Sequence, residues 1–353
     1  MKASRRRILR LAAGAVALPA ISRNLFAQSY PVRPLRWIVG FAAGGGGDII
    51  TRIMAAWLAE RLGQPVVVEN RPGGASNISV QQVANAPADG YTLLWLASSA
   101  AINASLYDSL PFNLVRDIAP IAGLVDFPLV MVANPSLPAK TIPELIALAK
   151  AEPGKITIGS YGTGSTSHVA GELFKMMAGI NMIHVPYRGG APMMTDIMAG
   201  QVQVGIDVST GARPPVQSGA VRALGICGAR SSMFPGVPSI GESVPGYDAS
   251  AWGGAGTTRG TPPEIIERLN RELNAGLANP AVKARLADVA TTPLVFATKE
   301  FEGLCGGRSR EVEQGHQARR NQAHVVGLAL RADRGCAVLG GARQLSVNLS
   351  RKK

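Results

Sequence analysis

The chain has 353 residues, of which 46% are hydrophobic and 17% are charged, so it can bury a sizeable core and is not an intrinsically disordered protein. Its net charge of +13 would suggest nucleic acid or a membrane surface as partner, but the excess lies at the two ends. Residues 1–27 contribute +6 and residues 304–353 contribute +7, which leaves the body of the chain neutral. We therefore expect no nucleic-acid partner.

The N-terminal segment has the order of an export signal. Basic "MKASRRRILR" precedes the apolar stretch "LAAGAVALPAI", and small Ala27 precedes Gln28. Eleven apolar residues are too few for a membrane-spanning helix, which needs about 20. "SRRRIL" also resembles a twin-arginine signal. We expect residues 1–27 to be a signal peptide and the mature chain to lie in the periplasm; the alternative is a basic amphipathic helix retained in the cytoplasm.

From Leu35 onward, short apolar runs alternate with helical patterns, which is typical of an α/β protein with mainly parallel strands. The predicted strands are, in chain order, LRWIVGF, PVVVEN, YTLLWLA, FPLVMVAN, KITIGSY, MIHVPY, VQVGIDV and VRALGIC. The predicted helices are DIITRIMAAWLAERLG, which stops at Gly63, then NISVQQVANA, IPELIALAKA, HVAGELFKMMAG, APMMTDIMAG and PPEIIERLNRELNAGLA.

Three loops share one chemical character. The segments "AAGGGGD" (42–48), "YGTGSTSH" (161–168) and "YRGGAP" (187–192) each follow a strand, are rich in glycine or hydroxyl side chains, and lead into a helix. Helix N-termini offer unsatisfied N–H groups and a partial positive charge, so each loop is a candidate anion site. For a single loop, glycine that merely lets the chain turn is an equal alternative. Three such loops favour a ligand with more than one negative group.

Several kinds of catalytic and cofactor site do not fit the spacing. The first loop lacks the Lys-Ser/Thr of a P-loop, and neither a G-x-G-x-x-G nor a G-x-S-x-G motif is present at these loops. His168 stands almost next to Ser165 and Ser167 at a helix start, which disfavours a hydrolase triad and favours a polar residue of the first helical turn. Cys227, Cys305 and Cys336 lack metal-ligand spacing, and Cys227 is expected to be a buried core thiol. We therefore expect that the protein binds no cofactor and no metal and that it is not an enzyme.

Several segments of the chain, taken in order, closely resemble the Bug-type extracytoplasmic receptors of tripartite tricarboxylate transporters. They are "RPLRWIVGFAAGGGGDIITRIMAAWLAERLGQPVVVENRPGGASNI", "ADGYTLLW", "ITIGSYGTGSTSHVAGELF", "HVPYRGGAPMMTDIMAGQVQVGIDV" and "GTPPEIIERLN". The resemblance covers about residues 30–300. It implies a type II periplasmic-binding-protein fold, in which two α/β domains hold a carboxylate-bearing solute in the cleft between them. It also implies a membrane permease as partner. Thr257, Thr258 and Arg259 depart from the family's small apolar residues before "GTP".

The resemblance also implies the ligand-binding residues. The first domain would contribute Phe41, Ala42, Gly44, Gly45, Gly46, Asp48, Ser98 and Ser99, and the second would contribute Gly162, Thr163, Gly164, Ser165, Thr166, Ser167, Tyr187, Arg188 and Asp207. Asp48 is expected to be a helix N-cap that accepts from its own helix, the alternative being that it orients a ligand amine or a water. For Tyr187 the alternatives are that it only packs against the protein or that it contacts the ligand. For Arg188 they are that it is a solvated charge at the rim of the cleft or that it contacts the ligand.

Residues 28–125 with 236–303 are predicted to form domain I, and residues 126–235 to form domain II. The tail at 304–353 breaks the pattern. With permitted synonymous codons, residues 307–322 read one base later give AEVEKWSKVIKLAGI, an amphipathic helix. We therefore hypothesise a frameshift near Gly303.

The sequence predicts a monomeric solute receptor; the alternatives are a hydrolase or transferase with the same anion loops, and a ligand-sensing input protein for a membrane sensor.

Overall fold

The structure is a computed structural model that describes residues 30–294, 301–303 and 305. The predicted signal peptide and residues 306–353 lie outside the described residues. Two α/β halves share one ten-stranded sheet. Within the described ranges, no helix is both long and apolar enough to span a membrane.

The first half begins with parallel strands joined by helices. Its elements are β1 (Leu35–Val39), α1 (Gly46–Leu62), β2 (Val66–Asn70), a 3₁₀ turn (Gly74–Ser76), α2 (Asn77–Ala84), β3 (Thr92–Ala97), α3 (Ser98–Leu106) and α4 (Leu114–Asp117). The chain returns to this half with β9 (Ser250–Thr258), α9 (Pro263–Ala278), α10 (Pro280–Asp288) and β10 (Thr292–Pro293).

The second half is reached through the long strand β4 (Ile118–Ala133). It continues with α5 (Ile142–Ala151), β5 (Thr157–Ser160), α6 (Thr166–Ala178), β6 (Ile183–Pro186), α7 (Gly190–Met198), β7 (Val204–Val208), α8 (Ser209–Gln217), β8 (Arg222–Ile226) and a 3₁₀ turn (Ile240–Glu242).

Strand β4 joins the two halves. The sheet runs in the order β2-β1-β3-β9-β4-β7-β5-β6, and β8 and β10 also pair with β4. Residues 118–128 of β4 pair with β9, whereas residues 129–133 pair with β7. The chain therefore crosses between the halves inside β4, near Pro128 and Leu129.

The eight predicted strands and six predicted helices are present. Helix α1 ends at Gly63, whose φ of 68° lies in the left-handed region and whose N–H bonds the carbonyl of Ala59. Cys227 is fully buried among apolar side chains, as predicted, and burial raises the pKa of its thiol to about 12.

Strands β9 and β10 and helices α3, α4, α8 and α10 were not predicted. The sequence of β9, "SAWGGAGTT", contains three glycines, which are poor strand formers. The glycines are needed there because a Cβ at Gly253 would lie 2.1 Å from Trp95, and a Cβ at Gly254 would lie 2.2 Å from Phe301. The first part of β4 was missed because its register shifts twice, beside Pro120 and Gly123.

The domain boundary after residue 235 stays a prediction. The segment behind it still packs on the second half, since the hydroxyl of Tyr247 donates to the carbonyl of Ala170 at 3.1 Å. A Cβ on Gly225 of β8 would lie 2.7 Å from Ile240. We therefore propose that the chain leaves domain II after Tyr247.

Candidate functional site

The first face of the cleft is the start of α1. The loop after β1 turns at Gly44, whose φ is 79°, and α1 begins at Gly46 behind the N-cap Gly45, which has no side chain to cap the helix. The first three N–H groups of a helix have no acceptor within the helix. The N–H groups of Gly46, Gly47 and Asp48 are therefore donors with a partial positive charge.

The glycines of α1 permit close approach to other parts of the protein. A Cβ on Gly46 would lie 2.6 Å from Val208 Cγ2 and 3.3 Å from Thr210 Cβ, at the junction of β7 with α8. A Cβ on Gly47 would lie 2.7 Å from the indole nitrogen of Trp95. The N-termini of α1 and α8 therefore meet directly, and only glycine leaves room for the contact.

The opposite face is the loop between β5 and α6. Ser165 is the N-cap of α6, and its Oγ accepts from the N–H of His168 at 3.2 Å. The Oγ of Ser167 accepts from the N–H of Tyr161 at 3.0 Å. These two hydroxyls hold the loop in place. Thr166 instead reaches across the cleft, where its Oγ1 lies 2.7 Å from the Oγ of Ser98 at the start of α3.

Tyr161 is central to the cleft, although sequence reasoning did not select it. Its ring lies 5.8 Å from that of Phe41, and its hydroxyl donates to Asp207 and accepts from the N–H of Val208 at 3.2 Å. A Cβ on Gly190 would lie 2.7 Å from the same hydroxyl. The sequence feature that could have identified Tyr161 as a cleft residue is its position, because it directly follows a strand and opens a glycine-rich loop.

Asp207 is a buried carboxyl at the end of β7. Burial raises its pKa to about 7, although hydrogen bonds from Tyr161 and the N–H of Val208 act in the opposite direction. Burial likewise raises the pKa of Tyr161 well above 10, and the charge of Asp207 adds to this effect. Within the described part of the chain, Asp207 Oδ2 and Thr210 Oγ1 are buried without a hydrogen-bond partner.

Asp48 is not the N-cap that the sequence predicted. It lies in the first turn of α1, and its carboxylate accepts from the N–H of Gly44 at 2.9 Å, from Arg52 Nε at 3.0 Å and from Asn70 Nδ2 at 3.0 Å. Burial raises the pKa of Asp48, but these bonds outweigh it and hold the pKa below its ordinary value. The prediction was wrong because the N-cap is Gly45, three residues earlier, and the helix begins at Gly46. The negative charge of Asp48 is balanced locally by Arg52.

The other predicted residues differ in where they lie. Ser99 is buried and its Oγ lies 3.0 Å from that of Ser76, inside the first half. The hydroxyl of Tyr187 donates to Asp196 at 2.7 Å. The side chain of Arg188 is exposed, whereas its carbonyl accepts from the N–H of Ala42 at 3.0 Å. Arg188 therefore bridges the two halves through its backbone.

Gly162, Thr163 and Gly164 complete the second face. Gly164 has a φ of 89°, and a Cβ there would lie 2.1 Å from Asn103 Oδ1 of α3. The carbonyl of Thr163 accepts from the hydroxyl of Tyr107 at 3.4 Å. The loop of the second half therefore packs directly on α3 of the first.

Two α/β halves that share crossing strands, with helix N-termini facing one another between them, define a two-domain binding protein of the periplasmic type. The family model of the tripartite tricarboxylate transporter family receptor, TctC, matches residues 50–310. Protein BugT of Bordetella pertussis is 37% identical over 293 residues, which cover 82% of this chain and 90% of BugT. The chain belongs to this receptor family.

Solved structures agree with that assignment. The periplasmic binding protein BugD is 30% identical, with a TM-score of 0.78 over 85% of this chain and 98% of BugD. A protein of R. palustris solved with adipate is 31% identical, with a TM-score of 0.77 over 82% of this chain and 98% of its own. MatC from Rhodopseudomonas palustris, solved with bound malate, is 27% identical, with a TM-score of 0.77 over 84% of this chain and 100% of MatC.

Family membership decides between a receptor and an enzyme. Receptors of this family are extracytoplasmic solute-binding proteins that work with tripartite transporters, not enzymes. The hydrolase or transferase alternative is therefore wrong.

Proposed function

We propose that the chain binds a small solute with two carboxylates in the cleft, closes its two domains around it, and delivers it to a membrane permease of the tripartite tricarboxylate type. Relatives solved with adipate and with malate support this class of ligand. The export signal at residues 1–27 would place the receptor in the periplasm, by the general or the twin-arginine route. The protein would act as a monomer.

The observation that carries the proposal is that helix N-termini meet at two places in the cleft. The starts of α1 and α8 meet at Gly46 and Thr210, and the starts of α3 and α6 meet at Ser98 and Thr166. Each junction gathers N–H and hydroxyl donors with a partial positive charge, which is the environment that binds a carboxylate. Two junctions suit a ligand with an anionic group at each end.

Asp207 fits this proposal only in its protonated form. A buried carboxylate beside a carboxylate ligand would repel it, but the raised pKa of about 7 keeps much of the Asp207 population neutral near pH 7. The protonated carboxyl can then donate a hydrogen bond from Oδ2, the atom without a partner. The other predicted ligand-binding residues remain part of the proposal except Ser99, whose buried hydroxyl bonds Ser76 inside the first half.

A thermal-shift and calorimetry series tests the function. Malate, succinate and adipate would be compared with propionate, a monocarboxylate, and citrate, a tricarboxylate, on the mature chain. A ligand at 100 times its dissociation constant should stabilise the protein by about 2.7 kcal/mol, and dicarboxylates should give the largest effect. Uptake of the bound solute by vesicles that contain the permease tests delivery. If no carboxylate stabilises the protein, the proposal is wrong.

A further inference from the structure

Two imidazoles lie directly behind the cleft loop of the second half. His168, in the first turn of α6, is buried, and its ring centroid lies 4.3 Å from that of His184 on the edge strand β6, with the rings tilted by 40°. Two stacked imidazoles, one buried and the other partly buried, cannot both carry a charge without a cost in free energy. Burial, and to a smaller extent the charge of Lys175, lowers the pKa of His184 to about 4.

His168 is bonded to the backbone of the loop. Its Nδ1 lies 3.2 Å from the N–H of Gly164, which donates to it. A ring nitrogen that accepts a hydrogen bond carries no proton, so the proton of the neutral ring is on Nε2. That nitrogen lies 3.8 Å from Glu172 Oε1, and Glu172 is paired with Lys175 at 2.7 Å.

His184 is connected to the same loop through a serine. Its Nε2 lies 2.6 Å from the Oγ of Ser160, and this Oγ accepts from the N–H of Gly162 at 3.1 Å. A hydroxyl that accepts from an N–H still has its own proton to donate, and the neutral imidazole of His184 can accept it. Two backbone N–H groups of the loop are thereby fixed from behind.

The segment fixed in this way is the one that meets the other domain. Gly164 adopts a left-handed φ of 89° and approaches Asn103 so closely that a Cβ would lie 2.1 Å from its Oδ1. Without the bond to His168, the N–H of Gly164 would be buried and unpaired, a cost that favours another loop conformation.

We propose that His168 and His184 are positioning residues, which act as neutral hydrogen-bond acceptors and hold residues 162–164 in the conformation that closes the cleft on its ligand. This inference rests on the proposed function, because its effect is measured as ligand affinity. Neither histidine touches the ligand; each acts through a backbone N–H of the loop.

A metal site is the competing interpretation of the same side chains. The donor atoms of His168, Glu172 and His184 lie within 4.8 Å of one another. The hydrogen bonds favour the positioning role, because Nδ1 of His168 faces an N–H and Glu172 is already paired with Lys175. A metal on Nε2 of His168 would put a proton on Nδ1, directly against the N–H of Gly164.

The test compares His168→Leu with His168→Asn, because the side-chain oxygen of asparagine can replace Nδ1 as acceptor. His168→Leu should weaken binding of malate or adipate, whichever the parent binds, by roughly 5- to 100-fold, and His168→Asn should restore most of it. Nitrogen NMR of the parent should show His168 with its proton on Nε2. Equal affinity of the leucine variant and the parent, or a proton on Nδ1, would overturn the proposal.

Two further measurements separate this inference from neighbouring ones. If the parent binds no carboxylate of the series, the proposed function fails, but hydrogen exchange of the Gly164 amide still tests the inference. The exchange should be faster in His168→Leu than in His168→Asn. Equal exchange rates in the two variants would refute it. Zn²⁺ titration of the parent should show no site at these residues. If Zn²⁺ does bind, and binds more tightly in Lys175→Gln and not at all in His184→Gln, the three side chains form a metal site and the positioning role is refuted.

Discussion

Replacing Gly46 by alanine tests whether the start of α1 must touch the start of α8 for the ligand to be bound. The new Cβ would lie 2.6 Å from Val208 Cγ2, whereas carbon atoms in good contact are about 3.5–4 Å apart. The two surfaces would have to separate by about 1 Å, and such overpacking costs roughly 1–3 kcal/mol. Calorimetry should therefore show an affinity for the dicarboxylate about 5- to 150-fold lower.

The neighbouring glycine supplies the matched control. A Cβ on Gly45 would lie 3.4 Å from the Ala42 carbonyl and 3.9 Å from the N–H of Gly190, which is ordinary contact, so Gly45→Ala should bind almost as the parent does. Adding Val208→Ala to Gly46→Ala removes the clashing methyl groups and should recover much of the affinity. If Gly46→Ala binds like Gly45→Ala, or if Val208→Ala rescues nothing, the argument from this contact is refuted.

Three further predictions concern other parts of the protein. Burial raises the pKa of Asp207 from 3.8 to about 7, so the protonated carboxyl favours the folded state most below about pH 4, and this contribution is lost as the pH rises from about 4 to 7; denaturant titrations from pH 4 to 8 should show the decline in the parent but not in Asp207→Asn. Ser98→Ala should weaken ligand binding about 2- to 12-fold, whereas Ser99→Ala should lower only the melting temperature, because the first hydroxyl bonds across the cleft and the second within one domain; the reverse pattern would contradict this assignment. A gene with residues 304–353 restored to the alternative frame should give a more soluble protein with a higher melting temperature, and resequencing that finds no such helix in that frame would end the frameshift hypothesis.

The sequence located the loops of the site but not their roles. The glycines of residues 42–48 and 161–168 were visible as strand-loop-helix patterns, and both loops lie at the cleft. Tyr161 was inside the second pattern and was not selected. Its importance comes from Phe41 and Asp207, which lie far from it in the chain and reach it only through the fold.

What the sequence by itself determined was local. Hydrophobic periodicity and glycine positions located α1, the eight predicted strands and the end of α1 at Gly63, because these depend on neighbours within a few residues. The parallel direction expected for most strands holds for β1–β3 and β5–β7, whereas β4 pairs antiparallel with β7, β8, β9 and β10. Tertiary structure alone decided that glycine-rich β9 is a central strand, since the glycines make room for Trp95 and Phe301, which come from distant parts of the chain. It also decided that Asp48 pairs with Arg52 and Asn70, and that His168 supports Gly164. A polar side chain satisfies its hydrogen bonds with whatever the fold places beside it, and only the assembled domains determine which groups those are.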